Sequence, residues 1–149
     1  MKTFRTAIDI EAPAPRVWEV MSDVDRWHEW TPSIRSVQRH DTGALAVGHR
    51  VTIRQPRLPP ARWEVNEWEP DRQFTWVSTA PGVQVTARHE VEPRGEGSRA
   101  NLSLEIRGVL GGLLGWLTGT ITQRYLALEA AGLKARSEQP GFRHEDVGA

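Results

Sequence analysis

Leu110-Gly111-Gly112-Leu113-Leu114-Gly115-Trp116-Leu117-Thr118-Gly119-Thr120-Ile121-Thr122-Gln123-Arg124-Tyr125-Leu126-Ala127-Leu128 is where this chain changes period. Upstream, apolar residues alternate; here they recur every three or four positions. At about 100° per residue, Leu110, Leu113, Leu114, Leu117, Ile121, Tyr125 and Leu128 fall within roughly a 120° arc. The pattern predicts one long amphipathic helix running to about Arg136. Gly111, Gly115 and Gly119 lie four apart, beside the leucine arc. Interior helix glycines cost about 1 kcal/mol each, so close packing or cavity volume is expected along that strip, with a dimer contact as the second reading. Trp116 lies off the arc and is expected at a rim, against a partner, or at a membrane surface.

Upstream of the helix the pattern is mostly strand. Phe4, Thr6, Ile8 and Ile10 alternate with polar or small residues, giving a first strand. Ala12-Pro13-Ala14-Pro15 breaks it and suits the first turn of a helix. Val17, Val20, Met21 and Val24 recur at helical spacing. Ser22-Asp23 can cap a second short helix holding Trp27 and Trp30, which Pro32 stops. Strand signals follow at 34–39, 49–54, 62–69, 73–78, 83–91 and 102–106. Each link is short and holds turn residues, as in Pro81-Gly82, so these strands pair as antiparallel neighbours. The expected fold is α+β: an antiparallel sheet of about seven strands wrapped around a long C-terminal helix, with two short helices after the first strand. The helix carries the only apolar stripe able to cover the sheet, and a gap is expected between the concave sheet face and that helix. One domain spans residues 1–137, and 138–149 reads as a disordered tail.

Composition narrows the function classes. Lys+Arg and Asp+Glu both total 19, so net charge is zero; nucleic-acid binders usually carry a basic excess. The chain has no cysteine, which excludes disulfides, thiolate nucleophiles and Cys-ligated metals. The first residues contain no apolar run of signal-peptide type. The longest apolar stretch, 109–121, is about half of what a membrane span needs. A cytoplasmic protein without an integral membrane segment is the expectation. The five histidines show no metal-ligand spacing, and no phosphate loop or nucleophile elbow is present; no cofactor is expected.

Four segments carry a family resemblance. They are Ile10-Glu11-Ala12-Pro13-Ala14-Pro15-Arg16-Val17-Trp18-Glu19-Val20; Asp23-Val24-Asp25-Arg26-Trp27-His28-Glu29-Trp30; Trp63-Glu64-Val65-Asn66-Glu67-Trp68-Glu69-Pro70 followed by Phe74-Thr75-Trp76; and His89-Glu90-Val91-Glu92-Pro93 followed by Gly97-Ser98-Arg99. In this order and spacing the chain resembles the START-like helix-grip superfamily, in its polyketide cyclase/dehydrase and lipid-transport branch, over about residues 3–137. The resemblance implies a ligand-holding fold whose members include carriers, cyclases and aromatases.

Candidate site residues follow from face and parity. Seven tryptophans in 149 residues either fill a solid core or line a cavity. Trp27 and Trp30 share one face of the short helix, anchoring it or forming an aromatic wall. Strand parity puts Trp63 and Trp68 on opposite faces, and which of them looks inward stays open. Phe74 and Trp76 share a face, with Trp76 the foremost aromatic wall residue. His89 falls in the alternating set Val83, Val85, Ala87, His89, Val91 and should point inward. There it could be a core histidine, a ligand contact, or an acid/base. Glu67 shares parity with Trp63 and becomes a partner for His89 if that parity is buried. Tyr125, Leu117 and Ile121 are the helix's contribution to the wall.

Three functions remain open: binding or carrying a hydrophobic, lipid- or polyketide-like small molecule; cyclase/dehydratase chemistry with His89 as acid/base; and a homodimerisation or membrane-surface module built on the glycine strip and Trp116. Whether the chain is an enzyme stays open, as do the ligand and the oligomeric state.

Overall fold

The computed structural model describes residues 1–140. Its strands are β1 (Lys2–Ile10), β2 (Ser36–Arg39), β3 (Arg50–Arg54), β4 (Ala61–Glu69), β5 (Gln73–Ala80), β6 (Val83–Arg94) and β7 (Gly97–Arg107). They form one antiparallel sheet in the order β1-β7-β6-β5-β4-β3-β2. Between β1 and β2 run α1 (Ala14–Ser22), a 3₁₀ turn (Val24–Arg26) and α2 (Trp27–Trp30). The last element of the described residues is α3 (Gly111–Ser137). This is the α+β helix-grip arrangement that the period change implies. Residues 141–149, where most of the expected disordered tail falls, lie outside the described residues.

Alternation decides which sheet face is buried. Ala87, His89 and Val91 of β6 stand opposite Leu104, Leu102 and Ala100 of β7. Phe4 and Ile10 of β1 continue the same face. Val17, Trp18 and Met21 of α1 and Trp27 of α2 close one end of it. Pro15 in the first turn of α1 fixes φ where no helical N–H is needed.

The long helix is present, but it is turned. Its buried positions are Gly111, Gly115, Leu126, Ala130, Leu133 and Ser137. Leu110, Leu113 and Leu117 of the leucine arc are exposed. On a helical wheel the buried row lies about 140° from the centre of that arc. The reason is clearance. A Cβ on Gly115 would sit 2.9 Å from Lys2 Cγ, and one on Gly111 3.4 Å from Ile106 Cγ2. The helix backbone rests on β1 and β7 through its glycines, where no leucine fits. The close-packing reading of the glycine strip therefore describes the fold, and the leucine stripe does not.

Farther along, the α3 backbone meets α2. A Cβ on Gly132 would lie 2.0 Å from the Trp30 carbonyl oxygen. At the end of α3 the Glu138 carboxylate accepts hydrogen bonds from the Glu11 backbone N–H at 2.7 Å and from Lys134 Nζ at 2.5 Å. The Lys134 hydrogen bond first, then the Glu11 N–H, hold the Glu138 carboxyl below the usual range. That contribution to stability is present above the ordinary carboxylate pKa and is lost as pH falls through the lowered one.

Gly132→Ala forces a backbone shift and should lower stability by about 1–3 kcal/mol or more. Gly119→Ala meets only the Phe4 ring, at 3.6 Å, and should raise stability by about 0.5–1 kcal/mol through helix propensity. Thermal or urea unfolding of the two variants, side by side, measures both signs.

Candidate functional site

The site is built on the concave face of β4, β5 and β6. β4 pairs with β5 through Val65↔Trp76, then through Glu67↔Thr75 and Trp68↔Phe74. Between Val65 and Glu67 the register slips: Asn66 is an extra residue, a β-bulge. Alternation restarts after it, so Trp63, Val65 and Trp68 all face inward. The expected split of Trp63 and Trp68 between two faces is thus corrected. Glu67 is corrected with it. It turns to the other face, where its carboxylate accepts a hydrogen bond from Gln73 Nε2 at 3.3 Å, so it is no partner for His89.

The inward rings form one connected cluster. Trp18 lies 5.2 Å from Trp68, centroid to centroid, and Trp68 5.5 Å from Phe74. Phe74 stacks on His89 at 4.4 Å and 13°. Trp27 and Trp76 flank His89 at 5.2 and 5.5 Å. Trp63 stacks on Trp76 at 5.8 Å. Each such pair adds about 0.5–1.5 kcal/mol beyond area burial. The Trp27 indole N–H donates to the Met21 carbonyl at 3.0 Å, which satisfies its one donor. Of the two readings for the α2 pair, both hold for Trp27: it anchors the helix and walls the site. Trp30 packs at Gly132 instead.

His89 sits at the centre, 5% exposed. Its Nε2 is 3.6 Å from Glu129 Oε1 of α3. Among the described residues its buried Nδ1 has no hydrogen-bond partner. Nε2 is the ring nitrogen nearer the carboxylate, and Nδ1 is left without a polar partner among the rings. Such an unmet buried group costs about 1–3 kcal/mol. Sequence reading missed Glu129. Its signal is position: three residues after Leu126 and four before Leu133, both on the buried row.

A cavity of about 60 Å³ adjoins this pair, lined among others by Trp27, Ile53, Trp63, Trp76, Leu126 and Glu129. At about 15 Å³ per water it holds about four waters, whereas ligand pockets run about 300–1,000 Å³. Two roomier hollows, of about 570 and 660 Å³, are open depressions with charged walls that include Arg88 and Glu90, or Asp9 and Lys134. Neither contains His89 or Glu129. Beyond the cavity the concave face is incompletely covered: Val83, Val85 and Leu104, with Leu114 and Ile121 of α3, are only half-buried. Of the expected site residues, Trp63, Trp76 and His89 line the cavity, and Phe74 backs His89. Leu117 is 63% exposed and turned away from it. Tyr125 donates its hydroxyl proton to the Pro56 carbonyl, which clamps α3 to the loop after β3. Among the described residues no three His, Asp or Glu side chains converge as a metal site requires.

A family model described as polyketide cyclase/dehydrase and lipid transport matches residues 1–138. The chain belongs to this family. Solved structures share this fold at low identity. A hypothetical protein from Helicobacter pylori superposes with a TM-score of 0.79 at 17% identity, over 92% of this chain and 88% of that one. The Zhui aromatase/cyclase from a Streptomyces species gives 0.74 at 17%, over 92% and 93%. A Thermus thermophilus protein gives 0.73 at 21%, over 91% and 97%. No curated protein matches the chain in sequence. No helix of the described residues is long and apolar enough to cross a membrane.

Two measurements test this geometry within the polyketide cyclase/dehydrase fold. Deleting Asn66 removes the bulge and turns either Trp63 or Trp68 outward. The loss should approach the roughly 3–5 kcal/mol of a truncated core aromatic, with a collapse of the near-ultraviolet tryptophan signal. Nitrogen-15 NMR of the imidazole should show the Nε2–H tautomer for His89 in the wild type. In Glu129→Gln that preference should weaken while the fold is retained.

Proposed function

We propose that this chain binds a hydrophobic small molecule, lipid-like or polyketide-like, between the concave sheet face and α3. One observation carries the reading: a buried histidine whose Nε2 is turned to a carboxylate and whose Nδ1 has no hydrogen-bond partner among the described residues, set in an aromatic wall. A ligand hydroxyl or other donor would satisfy Nδ1. Rings of Trp27, Trp63 and Trp76 would hold the apolar body, as pockets with few, well-placed polar groups do. The half-buried row of Val83, Val85 and Leu104 supports the ligand extending from the small cavity towards α3. Family membership supports hydrophobic ligand binding or polyketide cyclisation at the family level.

The second reading is cyclase/dehydratase chemistry, favoured by the same His89–Glu129 pair. Here Nδ1 would take a proton from the carbon next to one bearing a hydroxyl. The proton would leave with that hydroxide as water, and Glu129 would stabilise the transient imidazolium. His89 ends the cycle unchanged.

The experiment is saturable quenching of tryptophan fluorescence by a panel of fatty acids, phospholipids and polyketide-like aromatics. His89→Phe keeps the ring and removes the acceptor, and should weaken binding about tenfold. Leu126→Trp fills the cavity and should abolish it. Glu129→Gln should leave binding within a few-fold but remove turnover if the cyclase reading holds. A folded sample that responds to no member of the panel would sink both readings.

A further inference from the structure

Among the described residues, all but one of the strongly exposed large hydrophobic side chains gather at one end of the molecule. Val109 is 92% exposed, Trp116 77%, Leu117 63%, Leu113 56% and Leu110 51%; Val47 alone lies elsewhere, and Met1 joins the group at 80%. Contacts fix the neighbourhood. Lys2 stands opposite Ile106 and packs beside Gly115. The Leu110 N–H donates to the Gly82 carbonyl at 2.8 Å. The antiparallel order also puts the end of β3, the proline loop and the start of β4 on this side of the sheet, with Ala61 opposite Ile53 and Ala80 opposite Val83.

Charge at this end has one sign. The segments on this side of the sheet, 1–3, 54–62, 79–85 and 105–117, contain Lys2, Arg54, Arg57, Arg62 and Arg107 against a single acid, Glu105. Glu105 is already paired with Arg107. The end therefore carries a net charge of +4, and in a chain of zero net charge the remainder carries −4. A patch of Leu, Val and Trp thus lies on the basic side of the sheet.

We infer that this end docks on the surface of an anionic lipid bilayer. Leucines and valine of the first α3 turns would enter the boundary between headgroups and chains. Trp116 would sit at headgroup depth, and the Lys and Arg stems would reach out to the phosphates. Each basic residue near such a surface adds about fivefold in affinity. A second copy of this chain fits less well, because a two-fold contact would press two ends of +4 together. The inference does not depend on what the cavity holds.

The test is flotation of the full chain with vesicles of equal parts phosphatidylglycerol and phosphatidylcholine, and with phosphatidylcholine alone. Binding is expected to the anionic vesicles only, weakening with added salt. The triple variant Leu113→Ser, Trp116→Ser, Leu117→Ser alters only exposed side chains, and circular dichroism checks that it folds. It should bind more than about tenfold more weakly, as should Lys2→Glu combined with Arg57→Glu. His89→Phe should bind vesicles like the wild type, which separates this surface from the cavity. Three results would overturn the inference: no vesicle binding by the folded wild type, equal binding to neutral and anionic vesicles, or a dimer in sedimentation that the serine variant dissociates.

Discussion

A single extra residue in β4 holds the site together. With Asn66 bulged out between Val65 and Glu67, tryptophans five positions apart in sequence both face inward. Trp63 then reaches Trp76, and Trp68 reaches Trp18 and Phe74. The cluster so made encloses the imidazole of His89 on several sides. Without the bulge one ring would lie in solvent and the wall would have a gap on the β4 side. The question posed by seven tryptophans thus has a divided answer. Trp18, Trp27, Trp63 and Trp76 are buried, Trp30 and Trp68 partly so, and the cavity is the small space their packing leaves. Trp116 belongs to the surface.

Much of the fold was legible because its signals are local. Alternation marks β6 from Val83 to Val91, and turn residues such as Pro81-Gly82 mark where strands reverse. His89 could be placed inward because its strand keeps an unbroken period of two. The same rule failed on β4, since a bulge changes parity without changing composition. Asn66, of a type depleted in strands, was the only cue. The rotation of α3 was hidden for another reason. Hydropathy patterns weigh side chains, and the face that packs closest is made of Gly111 and Gly115, which have none. Glu129 was hidden by its charge, which usually marks a solvated face, although its spacing from Leu126 and Leu133 places it among buried neighbours.

The polar pair and the basic apolar end are separate features with different energetics. His89 and Glu129 interact where water is scarce, so their mutual orientation counts for more than it would at a surface. The exposed ion pairs, such as Arg99 with Asp9 at 2.8 Å, hold β1 to β7 in water and contribute little each. The hydrogen bond from Arg99 holds the Asp9 carboxyl below its ordinary range, but that fixes a strand edge and not a site. At the far end, charge acts through its sum. No single Lys or Arg there is buried, and the field comes from the near absence of acids in the segments on that side of the sheet.

The size of the cavity limits how a ligand can enter. About 60 Å³ cannot hold a lipid chain or a fused aromatic, so the proposed binding requires one wall to give way. The sheet side is the stiffer one: its rings interlock and its strands are paired along their length. On α3 the half after Leu126 is held by buried Ala130 and Leu133 and by the backbone approach of Gly132 to Trp30. The half before it contains four glycines, Gly111, Gly112, Gly115 and Gly119, and shows its leucines to solvent. Glycine lowers the intrinsic stability of a helix, and exposed leucines add little packing to replace it. Against that, the buried Gly111 and Gly115 seat the same half closely on Ile106 and Lys2, so its hold on the sheet is backbone contact and not side-chain packing.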